Sequence, residues 1–556
     1  MFEEEIKKIL KKITGLKEIV LEIPPDDSLG DYSFPCFGLA KQQKRNPTEI
    51  ASELKNKIKK TNSIEKIEIK GPYLNFFVNK QELAGITIRT ILKQKEKYGS
   101  AKDNKKIVIE SPGPNTNKPL HLGHLRNMAL GLSLSKIYKK RGNKVINVDI
   151  INDRGIHICK SMLAYKKFGN NKKPNKKPDH FVGDFYILFN KKESKELEEE
   201  AINLLRKWEN KDKEAIKLWK KMNSWAIKGI NETYKKFGIK IDNTFFESHY
   251  YIKGKDIALE GLRKGIFEKD NNGAIIVNLE KEGLGKKVLL REDGTSVYIT
   301  QDIYLAIKRY QDFKMDKMIY IVASEQIHHF KVLFAILKIL GYSFAKDYYH
   351  LPYGMIYLPE GKMKSREGKI VDADNLIRDV TGLTRKEIVK RDEKISRKEL
   401  EKRAEIIGLG AIKFFILNYD PLKDFVYHPE ESLSFEGETG PYIQYAHARI
   451  SSVLRKTKKI NKVGVKGLTT TEEIRLIKLL SDYPRKIQEA ATQYKPSIIS
   501  NYLFDLAQSF NTFYSKYPIL KSEENKKIAR LNLISCIKIV LKDGLGLLGI
   551  EAPERM

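Results

Sequence analysis

A multidomain α/β chain is what this sequence predicts, with a small α+β domain first, a parallel sheet covered by helices next and an α-helical bundle last. Three observations predict it. The 556 residues are too many for one hydrophobic core. From about residue 106 to 340, apolar runs alternate with helical periodicity, the strand–helix–strand order of a parallel sheet. Beyond about Asp372 nearly every window has helical spacing.

The first hundred residues open with a helical stripe, Phe2, Ile6, Ile9, Leu10 and Ile13. Asn46-Pro47-Thr48-Glu49 supplies a cap, a first-turn proline and a third-position glutamate for a helix through Ile50, Leu54 and Ile58. The runs 64–69 and 74–78 flank Gly71-Pro72 and pair as strands. A polar linker at 99–106 closes this domain at about residue 100. From Lys106 the order is strand, loop, helix to Arg141, a stop at Gly142 and a strand from Val145 to Ile151. A lysine-asparagine loop at 169–178 leads into a charged helical insertion over about 169–240. Short strands are expected at 274–278, 288–290 and 297–300, the last two around an Asp293-Gly294 turn. A buried-type strand at 317–322 leads to a helix closed by Gly341. The central domain is thus expected over 101–375, a helical connection over 376–434 and the bundle over 435–556.

The most informative stretch is Ser111-Pro-Gly-Pro-Asn-Thr-Asn-Lys-Pro-Leu-His121-Leu-Gly123-His124-Leu-Arg126. It follows a strand and opens a helix, which is where an open parallel sheet holds ligands and where free N–H groups meet phosphate. His121 and His124, three apart, point the same way. Gly123 between them leaves room for a flat ring against the backbone. A nucleoside triphosphate is the natural occupant, and in isolation an ordinary surface pair of histidines reads equally well, so context decides.

Composition supplies some of that context. Lys and Arg number 103 against 71 Asp and Glu, a net +32 spread along the chain, and such a field attracts polyanions, nucleic acid first. Solvated lysine-rich faces with no ligand would give the same figure. Only Cys36, Cys159 and Cys536 occur, far apart, which excludes a disulfide framework and a Cys-x-x-Cys zinc site. No run of 18 uncharged apolar residues exists, so a cytoplasmic chain without membrane spans is expected. His328 and His329 face different ways on a helix and have no accompanying ligand pattern, so no metal and no structural zinc is expected there.

A second motif lies some 240 residues downstream: Pro359-Glu-Gly361-Lys362-Met363-Lys364-Ser365-Arg366-Glu367-Gly368-Lys369. Glycines at both ends permit motion, and the cations can neutralise charge that grows on phosphorus. Alone it reads as a solvated loop; beside His-x-Gly-His it reads as the second half of a nucleotide site.

These two motifs make the chain resemble the class I aminoacyl-tRNA synthetases, whose signatures are His-Ile-Gly-His and Lys-Met-Ser-Lys-Ser. Four blocks in order resemble the arginyl-tRNA synthetases more closely: the stretch 111–126, Ile151-Asn-Asp-Arg-Gly155, Asp293-Gly-Thr-Ser-Val-Tyr-Ile-Thr-Gln-Asp302 and Gly440-Pro-Tyr-Ile-Gln-Tyr-Ala-His-Ala-Arg449. The likeness extends to Glu551-Ala-Pro-Glu-Arg-Met556. It implies a Rossmann-like catalytic domain and an arginine–tRNA ligase acting as a monomer. In it His121 and His124 hold the phosphates of ATP, which arrives with Mg2+, while Gly123 lies under the adenine and Pro114, Asn115 and Leu122 line the nucleotide. Lys362, Met363, Lys364, Ser365 and Arg366 form the catalytic loop. Ser365 stands where the signature has its second lysine, and the resemblance gives that charge to Lys118, with Lys364 and Arg366 as rivals.

A planar guanidinium needs a carboxylate fork and further acceptors in a partly dry pocket. Tyr298 and Asp302, four apart, can face one ligand, and the resemblance puts them in the arginine site together with Asn115, Asp149 and Gln326. It also implies that the bundle reads the tRNA anticodon and that the first domain contacts the tRNA corner. Tyr442, Tyr445 and Arg449 begin that bundle on a basic background suited to stacking and phosphate contacts. Core packing explains the two tyrosines equally well. Two rival functions remain: another His-x-Gly-His nucleotidyl transferase that uses no tRNA, and a non-catalytic tRNA-binding relative.

Overall fold

The structure is a computed structural model and describes residues 2–59, 61–357, 371–434, 436–457 and 463–556. The first elements in the chain are α1 (Phe2–Thr14), β1 (Tyr32–Pro35), α2 (Phe37–Gln43), α3 (Pro47–Lys57), β2 (Ile64–Lys70), β3 (Tyr73–Val78) and α4 (Lys80–Gln94). The three strands form an antiparallel sheet in the order β1-β3-β2. Its inner face, Phe34, Leu74 and Phe76, packs on Ile6 and Leu10 of α1 and Ile50 and Leu54 of α3. Asn46 caps α3 as expected, its side chain accepting from the Thr48 amide at 2.9 Å. Strand β1 escaped the sequence reading.

The main sheet has five parallel strands in the order β11-β10-β4-β5-β6. In chain order its first part comprises β4 (Lys106–Glu110), α5 (Leu122–Lys140), β5 (Lys144–Ile151) and α6 (Ile156–Phe168). The insertion then folds as α7 (Pro178–Lys191), α8 (Lys195–Glu209) and α9 (Lys213–Phe237), around Met162, Phe181, Trp208 and Met222. Next come β6 (Asn243–Phe246), α10 (Glu247–Tyr250) and α11 (Gly254–Arg263). Strands β7 (Glu268–Lys269), β8 (Ile275–Leu279) and β9 (Gly285–Leu290) form a separate antiparallel sheet, where the sequence suggested that the main sheet resumes.

After it follow α12 (Tyr298–Phe313), β10 (Lys317–Ala323), α13 (Ile327–Ile339) and β11 (Tyr348–Tyr353). Residues 297–300, expected as a strand, are the cap and first turn of α12. Their β-branched character loses to the helical stripe Ile299, Ile303, Ala306 and Ile307, which α12 buries. The chain runs outward from β4 to β5 on one side and from β10 to β11 on the other, so the topological switch point lies between β4 and β10.

Helices dominate the remainder: α14 (Ala373–Arg391), α15 (Arg397–Asn418), α16 (Pro429–Ser432), α17 (Gly440–Arg455), α18 (Thr471–Gln493), α19 (Ser497–Lys516) and α20 (Glu524–Leu547). By backbone proximity the chain groups into two compact units. One joins Met1–Tyr98 with Ile450–Tyr483 and Leu506–Val540; inside it the Tyr98 hydroxyl donates to Leu480 O at 2.9 Å, and Arg530 pairs with buried Glu473 at 2.8 Å. The other joins Gly99–Arg449, Pro484–Asp505 and Leu541–Met556 and contains the main sheet.

Within the second unit, one buried cation fixes the loops beside the sheet. The Arg126 guanidinium, 1% exposed, donates to the carbonyls of Gly354 (2.6 Å), Pro421 (2.9 Å) and Lys423 (2.8 Å) and lies 4.6 Å from the Phe425 ring. Burial pulls its pKa down to about 10, which leaves it charged at neutral pH. Replacing Arg126 with Met should cost about 3 kcal/mol or more in urea denaturation, because three buried carbonyls lose their donors together.

Candidate active site

At the switch point lies a cavity of about 410 Å3, walled by the carboxyl ends of β4, β5 and β10 and by the first turns of α5, α12 and α13. His121, His124, Tyr298, Asp302 and Gln326 all line it. Residues chosen from three separate stretches of sequence therefore meet in one space. His121 is the N-cap of α5. Its Nδ1 accepts from the Gly123 amide at 3.2 Å, and its own amide donates to Nδ1 of His124 at 3.1 Å.

With both Nδ1 atoms accepting, each ring carries its hydrogen on Nε2, so both are neutral donors. Burial pushes the His121 pKa down to about 3, with Lys118 adding to the effect, and holds His124 well below its ordinary value, helped by His121 and Lys118. The ring centroids stand 3.9 Å apart. A Cβ on Gly123 would meet the His121 ring at 3.0 Å, so glycine is what lets the capping ring fold back.

The polar end of the cavity is built from α12 and α13. His329 Nε2 stands 2.7 Å from Oδ2 of Asp302, which can only accept, so that ring too holds its hydrogen on Nε2. The other Asp302 oxygen has no partner among the described residues. Tyr298, 58% exposed, has its ring 5.9 Å from that of His329. Beneath them Arg309 and Glu110 form a buried ion pair, with the guanidinium 4.8 Å from the Phe245 ring. Burial opposes the Arg309 charge, but the Glu110 carboxylate more than offsets it and keeps the guanidinium protonated.

Glu110, Asn127, Arg309 and His329 line the cavity and were missed in the sequence. Two of them carry a readable signal. Glu110 ends the apolar run of β4, and Arg309 sits on the buried face of α12 among Ile303, Ala306 and Ile307.

Several expected residues lie elsewhere. Asp149 is buried under the loop, accepting from the Gly113 amide at 2.9 Å and the Tyr234 hydroxyl at 2.7 Å, and does not line the cavity. Asn115 also lies off the lining and pairs by backbone with Asn152. Pro114 accepts from the Asn152 amide, and Leu122 is fully buried; neither lines the cavity. Lys118 lines a neighbouring cavity of about 260 Å3 with His180 and Asp372, and burial lowers its pKa. Tyr442, Tyr445 and Arg449 stand apart from the cavity. Tyr442 packs 5.5 Å from Phe504, and Arg449 donates to the Tyr445 hydroxyl at 3.0 Å while lying 4.5 Å from its ring.

Lys362, Met363, Lys364, Ser365 and Arg366 fall outside the described residues. The chain that follows them does not. Leu122 N donates to Val371 O at 3.0 Å, Ala373 N donates to Leu120 O at 2.9 Å, and His121 bridges Asp372 in antiparallel sense. The histidine motif and the segment just beyond the basic loop are therefore hydrogen-bonded neighbours.

The family model for the catalytic domain of class I (R) tRNA synthetases matches residues 87–428. The arginine–tRNA ligase of Treponema denticola is 47% identical, over 97% of this chain and 95% of its own. The chain belongs to the arginyl-tRNA synthetases. Models of that family's N-terminal domain and of the DALR anticodon-binding domain match residues 1–78 and 443–556. The arginine–tRNA ligase of Treponema pallidum is 42% identical over 100% of this chain and 99% of its own. The solved arginyl-tRNA synthetase of Thermus thermophilus superposes with a TM-score of 0.87 at 27% identity, over 100% of this chain and 99% of its own. That of Plasmodium falciparum shares the fold at 0.81 and 20% identity.

Asp149 gives this site a pH signature. Burial raises its pKa from 3.8 to about 7. A folded value above the unfolded one means that its contribution to stability is full below about pH 4 and is lost as pH rises through about 7. Asp149→Asn removes that loss. The stability of the variant minus that of wild type should grow by a few kcal/mol between about pH 4 and pH 8 in urea denaturation.

Proposed function

We infer that this chain is an arginine–tRNA ligase that makes arginyl-adenylate in the cavity between β4 and β10. The pairing of Leu120–Leu122 with Val371–Ala373 carries this reading, because it sets the segment that follows the basic loop beside the histidines. ATP, as its magnesium complex, is a substrate. The arginine carboxylate attacks the α-phosphorus in line, diphosphate leaves, and the arginyl group then passes to the 2′-hydroxyl of the terminal adenosine of the tRNA.

No protein nucleophile is required; the work is positioning and charge stabilisation. In this reading the Nε2 hydrogens of His121 and His124 meet phosphate oxygens. Gly123, Pro114, Asn115 and Leu122 shape the nucleotide end with Met363 and Ser365, and Lys118, Lys362, Lys364 and Arg366 supply positive charge. Asp302, oriented by His329, takes the guanidinium with Tyr298 and Gln326. Asn115 and Asp149 act on arginine from behind, through the loop they support.

Tyr442, Tyr445 and Arg449 contact tRNA, residues 1–100 its corner and 435–556 its anticodon, with 101–375 catalytic and 376–434 connecting. The proposed working form is a cytoplasmic monomer without structural zinc. No helix among the described residues is long and apolar enough to cross a membrane.

The decisive experiment is arginine-dependent diphosphate exchange with and without tRNA, followed by aminoacylation across amino acids. Charging with arginine alone supports the reading; exchange without any charging favours a different nucleotidyl transferase. His124→Ala should abolish aminoacylation, which a non-catalytic RNA binder would not show at all. Asp302→Ala should raise the arginine KM by about 30-fold or more, the loss of a charge-assisted hydrogen bond worth about 2 kcal/mol, with the ATP KM nearly unchanged. Citrulline, which lacks the charge, should not be activated.

A further inference from the structure

Helix α7 of the insertion touches both the chain entering the histidine motif and the segment that follows the basic loop. At Gly183 it meets the chain entering the histidine motif so closely that a Cβ would stand 2.7 Å from Pro119. At its N-terminus it meets the segment leaving the basic loop. There His180 Nε2 stands 3.1 Å from Asp374 and 3.4 Å from Asp372, the two carboxylates that open α14. The Lys177 ammonium contacts Asp179 at 2.7 Å, Asp374 at 2.9 Å and Thr233 of α9 at 2.8 Å. Thr233 in turn donates to Asp374 at 3.0 Å. Asp179 is fully buried, and Lys177, His180, Asp372 and Asp374 keep a fifth or less of their side chains exposed.

Among the described residues, Asp179, His180 and Asp374 are the one group of carboxylates and imidazole close enough to share a metal ion. The Lys177 ammonium already lies between both carboxylates, where it takes the place of a metal ion, and the cluster reads as a clamp. Its distal side is Asp372, which bridges His121.

We propose that His180, seconded by Lys177, is a positioning residue for amino-acid activation: it holds Val371–Asp374 against Leu120–Leu122 and so fixes the backbone from which the two histidines project. The proposal rests on the ligase reading above and deepens it. Two features of the cluster separate this role from plain scaffolding. The clamp acts on the chain entering the histidine motif, while Tyr298, Asp302 and His329 are carried by α12 and α13, which contribute none of its residues.

The clamp also titrates. Facing His180 are Asp372 and Asp374 from α14, Asp179, Lys177 and Asp184 from α7 and its cap, Lys118 ahead of α5 and Thr233 from α9. The hydrogen bond to Asp374 raises the His180 pKa above its ordinary value. Burial works against the Asp374 carboxylate, but His180 and Lys177 hold it at about 2. The charged pair is therefore complete below pH 6.5 and is lost as pH rises through the raised His180 value.

The test compares wild type, His180→Gln, Asp374→Asn and the double variant in equilibrium dialysis with ATP and in arginine-dependent diphosphate exchange with tRNA, from pH 6 to pH 9. At pH 6, His180→Gln should weaken ATP binding and lower kcat by about tenfold each, with the arginine KM within about twofold. The gap to wild type should shrink towards pH 9. The double variant should be no worse than the worse single one, as expected for two groups acting through one contact. Wild-type ATP binding in His180→Gln at every pH would overturn the proposal. So would a pH-independent loss that falls equally on ATP and arginine, which is what general destabilisation gives. A wild-type protein that binds ATP but charges no tRNA would sink the ligase reading, and the dialysis comparison would still decide the role of His180.

Discussion

A short antiparallel contact, Leu120–Leu122 against Val371–Ala373, joins two stretches of chain that the sequence keeps far apart, and on the proposed reading the chemistry of the cavity depends on it. Each of its two backbone hydrogen bonds is worth only about 1 kcal/mol net. What makes the contact specific is that both partners are held from elsewhere. Leu122 is fully buried at the start of α5, and Asp372 is the cap of α14, its side chain accepting from the Asn375 amide. Neither side can slide without uncapping a helix or exposing an apolar residue, so the register is fixed by burial more than by the hydrogen bonds themselves.

Buried charge does similar work around the cavity. Both Arg126 and the Arg309–Glu110 pair are expensive to desolvate; for the ion pair, two apolar residues of the same size would be no less stable, whereas replacing Arg126 alone strands its carbonyl partners. Their value is directional. Arg126 ties the turn after β11 to the stretch 420–425 through carbonyl groups. Arg309 sits under the polar end of the cavity, where Glu110 neutralises it, so the floor beneath Asp302 carries no net charge. On the proposed reading, a guanidinium ligand would meet the Asp302 carboxylate without an uncompensated cation below it.

How much of this was legible follows from where each element lies. The three central strands of the main sheet, β10, β4 and β5, were read correctly because strands buried on both faces are continuous apolar runs. The two edge strands, β6 and β11, were not. Asn243–Phe246 is four residues long, and Tyr348–Tyr353 contains Pro352, which an edge tolerates and a sequence reading penalises. His121, His124, Tyr298, Asp302 and Gln326 were legible from motif and resemblance, and they do share one cavity. Asp149 was legible as important but not as a prop under the loop, since its role is set by Gly113 and Tyr234, the latter 85 residues away. His180 gave no local signal at all; its partners come from a segment 194 residues distant.

The depressed pKa values of His121 and His124 bear on why histidine occupies these positions. On the ligase reading, an ammonium there would bind phosphate more strongly, but it would also repel Lys118 and the cations of the basic loop, which the same phosphates would attract. A neutral imidazole whose Nδ1 is already engaged by a backbone amide presents one fixed donor and no charge. On that reading the fixed wall of the site supplies direction, and positive charge is left to Lys118 and the cations of the basic loop. Such a division favours the transition state over the ground state: the donors are in place throughout, while cations are needed most when charge is redistributed around the α-phosphorus.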